Sequence, residues 1–101
     1  MRIILFFDLP SVTNSDLREY RKFLKSIKKI GFVILQESVY TKLALNPSVV
    51  SACMVELKKI LPAEGIVSVL TITENQFSSI QHLVGEISTD VIISDEKVIR
   101  L

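Results

Sequence analysis

Arg18, Lys22, Lys25 and Lys29 follow one another at spacings of four, three and four residues, with Arg21 and Lys28 beside them. On an α-helix those intervals bring side chains to one face. A row of fixed cations on such a face can track the phosphates of a nucleic-acid backbone, in contacts that are blind to sequence and weakened by salt. The only acids in this stretch, Asp16 and Glu19, fall near its start, where a helix dipole favours them. An ordinary solvated helix face has the same spacing, and spacing alone does not separate the two readings.

Asp8 is the second residue with chemistry to offer. It closes the apolar run Ile3–Phe7, placing a hard oxygen ligand at a strand end. Mg²⁺ takes six oxygens and usually keeps several waters, so one carboxylate is a poor site. Two copies of Asp8 converging across a dimer axis would make a better one and would bring a metal-bound water to a phosphodiester. Asp before Leu9-Pro10 is also a common turn starter, and the pattern by itself favours that plainer role. Ser38 and Tyr40, expected to alternate outward from a break in a long strand, are candidates for a phosphate contact or a subunit contact.

Other catalytic templates are missing. The chain has no Gly-rich phosphate loop, HExxH or nucleophile elbow. Its one histidine, His82, reads as a surface or interface residue. Its one cysteine, Cys53, reads as a small apolar group on a buried helix face and excludes an internal disulfide. No run approaches the ~20 apolar residues of a membrane span, and Ile3–Phe7 stops at Asp8, too short for a signal peptide. A cytoplasmic location is expected.

The elements that hold these residues can be read from periodicity. The 101 residues suit one domain, 1–101, with a core over 1–84 and a tail over 85–101. Mean hydropathy of +0.43 is high for so small a chain, so part of the apolar surface is expected to face a second copy. Residues 1–60 hold ten Lys/Arg against five Asp/Glu, whereas 61–101 hold two against six. The net charge of +1 therefore conceals a basic region.

Met1–Phe7 predicts a central strand, and Pro10 ends it. Thr13 and Asp16 stand at capping-box spacing, and Leu17, Tyr20, Leu24, Ile27 and Ile30 predict an apolar helix stripe ended by Gly31. Residues 32–45 alternate with period two and are long enough to break near Gln36–Ser38 into two strands. Asn46-Pro47 opens a second helix whose expected stripe is Val50, Met54, Leu57 and Leu61. Ile66–Thr73 predicts a strand, Glu74–Ser79 a turn or short helix, and Ile80–Val84 a short strand. The apolar clusters Val91–Ile93 and Val98-Ile99 flank a turn at Ser94–Lys97. This order is β-α-β-β-α-β with an extra C-terminal strand, a ferredoxin-like α+β arrangement with both helices on one face of an antiparallel sheet.

A fold of this kind hosts many functions. Unaided, the residues support a small α/β dimer with a basic helix face, and a small-molecule-sensing regulator of the same fold stays open, although no ligand-binding loop is evident. A family resemblance narrows this. Ile4-Leu5-Phe6-Phe7-Asp8-Leu9-Pro10, the basic Tyr20–Lys25, Gly31-Phe32, Gln36-Glu37-Ser38-Val39-Tyr40, Gly65-Ile66-Val67, Leu70–Thr73 with Gln76-Phe77, and Ser94–Lys97 occur in an order and spacing that resemble the second CRISPR-associated (Cas) protein family, in the branch found with type II systems. The likeness covers essentially the whole chain.

The resemblance implies a homodimer that sits within a complex with a larger integrase subunit and clamps the mid-section of a double-stranded DNA protospacer on its basic surface. It also implies a Mg²⁺-dependent endonuclease acting on RNA or duplex DNA, with other divalent cations as alternatives and Asp8 at the metal. The C-terminal strand, Val91–Leu101 here, would pair with the partner subunit's sheet.

Overall fold

The structure is a computed structural model and describes residues 1–85. The expected tail clusters, the Ser94–Lys97 turn and the partner-pairing strand lie outside the described residues.

The apolar run near the start forms strand β1, Arg2–Asp8. Strand alternation sends Ile3, Leu5 and Phe7 to one side, where they are buried, and Arg2, Ile4, Phe6 and Asp8 to the other. The predicted break in the long alternating stretch gives β2, Val33–Gln36, and β3, Val39–Leu43, joined by the two-residue turn Glu37–Ser38. Ser38 takes φ 62, the left-handed conformation such tight turns demand. Ile34 pairs with Tyr40 but Gln36 with Val39, so Leu35 is an extra residue that bulges the edge strand. With β4, Ile66–Ile72, the sheet runs β2-β3-β1-β4, each pair antiparallel. That order, with β1 central, is ferredoxin-like.

Helix α1, Asn14–Ile30, starts at a complete capping box: the Thr13 hydroxyl accepts from the Asp16 N–H, and the Asp16 carboxylate accepts from the Thr13 N–H. Gly31, at φ 114, ends it. Helix α2, Pro47–Lys58, begins under an Asn46 cap with Pro47 in its first turn. Both helices pack on the Ile3, Leu5, Phe7 side of the sheet, where Phe23 and Ile27 of α1 and Cys53 and Leu57 of α2 complete the core. Phe7 meets Phe23 edge to face at 5.2 Å and stacks on Tyr40 at 5.9 Å.

Three expectations require correction. The centre of the α1 stripe is the Phe23–Ile27 pair, with Tyr20, Leu24 and Ile30 partly buried at its flanks, while Leu17 is exposed. The α2 stripe centres on Cys53 and Leu57; Leu61 lies beyond the helix and is half exposed. Residues 80–84 form no strand. Just before them a short third helix, α3, Glu74–Ser78, forms under a Thr73–Gln76 capping box, where a turn or short helix is expected.

The sheet face opposite α1 and α2 explains where α3 goes. Arg2 points from β1 to that face and is 2% exposed. A guanidinium can be buried there because Glu74 meets it with two hydrogen bonds, at 2.7 and 3.1 Å, and the Phe77 ring lies 4.2 Å from its carbon. Among the described residues no element covers the rest of that face. Phe6 is 42% exposed, Leu70 54% and Ile66 66%, and register sets Phe6 beside Ser68 and Ile4 beside Leu70.

Candidate nucleic-acid interface

The basic residues of α1 are where their spacing placed them. At about 100° per residue, Arg18, Arg21, Lys22, Lys25, Lys28 and Lys29 fall within an arc of roughly 120°, centred nearly opposite the Phe23–Ile27 pair. All six are exposed. Sheet contact through Phe23 and Ile27 turns the opposite side of the helix to solvent, so burial of the apolar stripe aims the cations. From Arg18 to Lys29 the row spans roughly 16 Å along the axis. Among the described residues none of the six forms an ion pair. Such a rail can hold a polyanion by its backbone.

The acids at the start of α1 are set apart from that rail. Asp16 is held below the ordinary carboxylate range, chiefly by the hydrogen bond from the Thr13 backbone, so it stays charged as part of the cap. With Glu19 and Glu64 it borders a cleft floored by Leu9, Pro10 and Tyr20. The acidic charge of the chain near the start of α1 is thus separate from the cations of its later turns.

Asp8 is the last residue of β1, exposed, and paired with Ile66. Two contacts fix its backbone. The Phe7 N–H donates to the Ser38 carbonyl at 3.1 Å, which carries the β1–β3 ladder into the Glu37–Ser38 turn. On the other side Gly65, at φ 102, sits so close that a Cβ there would lie 2.7 Å from the Asp8 carbonyl oxygen and 2.8 Å from Leu9 Cδ2. Asp8, Ser11, Glu37 and Ser38 line one open cleft.

These groups are all hard oxygen donors, the type that suits Mg²⁺. Their chemistry fits a divalent cation, but one subunit offers only part of a coordination shell. Among the described residues no three His, Cys, Asp or Glu side chains are arranged to hold a metal ion together.

Tyr40 requires a correction. It was expected to point outward, yet it is 3% exposed in the core. Its register partner is Leu5, whose side chain faces the helices, and the turn and bulge carry Tyr40 to the same side. Burial, with Tyr20 nearby, pushes its phenol above the ordinary tyrosine value. Ser38 stays partly exposed at the Asp8 cleft, so the structure separates this pair. Cys53 is buried and its thiol is raised by burial, as its reading as a small core hydrophobe requires.

Gly65 and Glu37 stand in motifs that carry the family resemblance, but the sequence assigns neither a role at the site. The signal for Gly65 was its place one residue before a strand. For Glu37 it was its place in the turn beside Ser38. Among the described residues no helix is long and apolar enough to cross a membrane.

Comparison with known proteins supplies the remaining findings. The family described as CRISPR associated protein Cas2 matches residues 1–80. The chain is 40% identical over 101 residues to a protein of Treponema denticola named CRISPR-associated endoribonuclease Cas2, with 100% of each chain covered. It is 42% identical to a protein of the same name from Streptococcus mutans, covering 100% of this chain and 93% of that one. The crystal structure of Streptococcus pyogenes Cas2 at pH 6.5 superposes with a TM-score of 0.63 at 16% identity, over 83% of this chain and 100% of that one, a likeness of fold.

Proposed function

The chain belongs to the Cas2 family of CRISPR-associated proteins, and from that premise we propose that two copies form a homodimer which binds duplex DNA during spacer acquisition, beside a larger integrase subunit, and cleaves phosphodiester bonds at a divalent metal held by Asp8. The observation that carries the reading is the exposed arc of six cations on α1, unpaired with any described acid and backed by the Phe23–Ile27 contact with the sheet. Contacts from that arc are to phosphates, so they position a duplex without selecting its sequence.

The open sheet face supports the dimer. Phe6, Leu70 and Ile66 leave apolar surface in water on a chain this small, and a second copy that covers it gains about 25 cal/mol for each Å² removed. A duplex laid across two symmetry-related α1 helices meets two rails rather than one.

Relatives named endoribonucleases support cleavage, with RNA as the substrate named and duplex DNA as the alternative. Asp8 would hold Mg²⁺, or another divalent cation, joined by the partner subunit's copy or by the oxygens of its own cleft. Bound there, the metal supplies an activated water and polarises the phosphate. Asp8 contributes the anionic ligand, Gly65 and the Ser38 carbonyl hold its backbone in place, and the open cleft admits the substrate.

The deciding experiment replaces Arg18 and Lys22 with Glu together. Titration of a labelled duplex by fluorescence anisotropy, and spacer uptake in cells, should both be lost while the far-UV spectrum is kept. Undiminished binding and uptake would overturn the reading.

A further inference from the structure

Lys59 lies outside α1, yet the fold brings it to the same rail. It caps the carboxyl end of α2, its N–H directed at the carbonyls of Glu56 and Leu57, and its side chain is exposed. With Glu19, Lys22, Ser26 and Leu61 it lines a groove between α2 and α1. The Ser26 hydroxyl donates back to the Lys22 carbonyl at 2.9 Å, which turns that small side chain onto its own helix.

Two lysines from different helices thus line one groove, and among the described residues neither forms an ion pair. Like charges sharing a groove repel, and an anion seated between them converts that repulsion into two attractions. Lysine acts on phosphate as a compact point charge, so two lysines from different helices can serve one phosphate group without the planar geometry that arginine requires.

We infer that Lys22 and Lys59 grip one backbone phosphate of the bound duplex between α1 and α2, so that the rail is two helices wide at this point. This rests on the nucleic-acid-binding reading above and adds to it a contact from a second element.

The test is the salt dependence of duplex binding by the full chain, measured by anisotropy with Lys22→Gln, Lys59→Gln, Lys59→Arg and the double Gln variant. Loss of one phosphate contact lowers the slope of log K against log salt by about 0.9. Lys59→Gln should show that drop, and Lys59→Arg should keep the slope. If one phosphate is shared, the double variant should lose less affinity than the product of the two single losses.

An unchanged slope for Lys59→Gln, or single losses that multiply fully, would overturn this inference. In that case loss of binding by the Arg18/Lys22 reversal would still uphold the functional reading. Binding that survives the reversal as well would remove both.

Discussion

Gly65 lies against the backbone of Asp8: a Cβ on the glycine would stand 2.7 Å from the Asp8 carbonyl oxygen and 3.2 Å from the Leu9 Cα. Backbone atoms cannot swing aside as a flexible side chain can, and φ 102 is itself unfavourable for any residue with a Cβ. Gly65→Ala should therefore destabilise the fold by about 1–3 kcal/mol and move the strand end that carries Asp8. Thermal unfolding and cleavage, measured on one preparation, should both fall. A variant with wild-type melting and wild-type cleavage would show that the close approach does not hold the site.

Asp8→Asn keeps the size of the side chain and removes its charge. Because Asp8 lies at a strand end, apart from the outward face of α1, cleavage should drop to background while duplex affinity stays unchanged. Removing divalent metal with a chelator should give the same split in the wild-type protein. Equal loss of duplex affinity in either experiment would mean that Asp8 and the cationic rail act as one site.

Leu70 offers a direct probe of the second copy. It is 54% exposed on the open face beside Ile4 and near Phe6, so a charge there costs a lone subunit little. Placed inside an apolar contact between copies, the same charge is desolvated without a partner. Leu70→Glu should give a folded protein whose mass by light scattering is that of one chain, with duplex affinity reduced because a single rail remains. A mass still equal to two chains would assign the dimer contact to another surface.

Arg2 and Glu74 should respond unequally. Removing Glu74 takes two hydrogen bonds and a counter-charge from a buried guanidinium, and breaking a buried pair costs up to about 3–5 kcal/mol. Arg2→Met instead leaves a carboxylate that is 32% exposed and can turn to water, so the loss should be smaller. Chemical denaturation of Glu74→Ala and Arg2→Met gives the order, and an Arg2→Met variant weaker than Glu74→Ala would reverse the assignment of the buried partner.

Much of the architecture was legible because its signals are short-ranged. Thr13 and Asp16 are three residues apart, Asn46 and Pro47 adjoin, Gly31 terminates its own helix, and the period-two run announced two strands. The cationic arc was legible for the same reason: helical spacing alone sets which residues share a face, whatever the helix packs against. Residues 80–84 misled because five residues, of which only Ile80, Leu83 and Val84 are apolar, have no clear period, and capping by Thr73 and Gln76 favoured a short helix just before them.

What the chain could not reveal by itself were relationships between residues far apart in sequence. Tyr40 faces the core because β3 pairs with β1 in a register that sets it against Leu5, and a turn and a bulge decide that parity. Arg2 is buried because α3 returns across the sheet to place Glu74 on it, 72 residues later. Gly65 meets Asp8, and Lys59 meets the groove beside Lys22, only once β4 and α2 have packed. Local periodicity determines which face of an element is polar. Which groups from different elements share one site is decided by strand register and helix packing, which depend on contacts formed only as the whole domain closes.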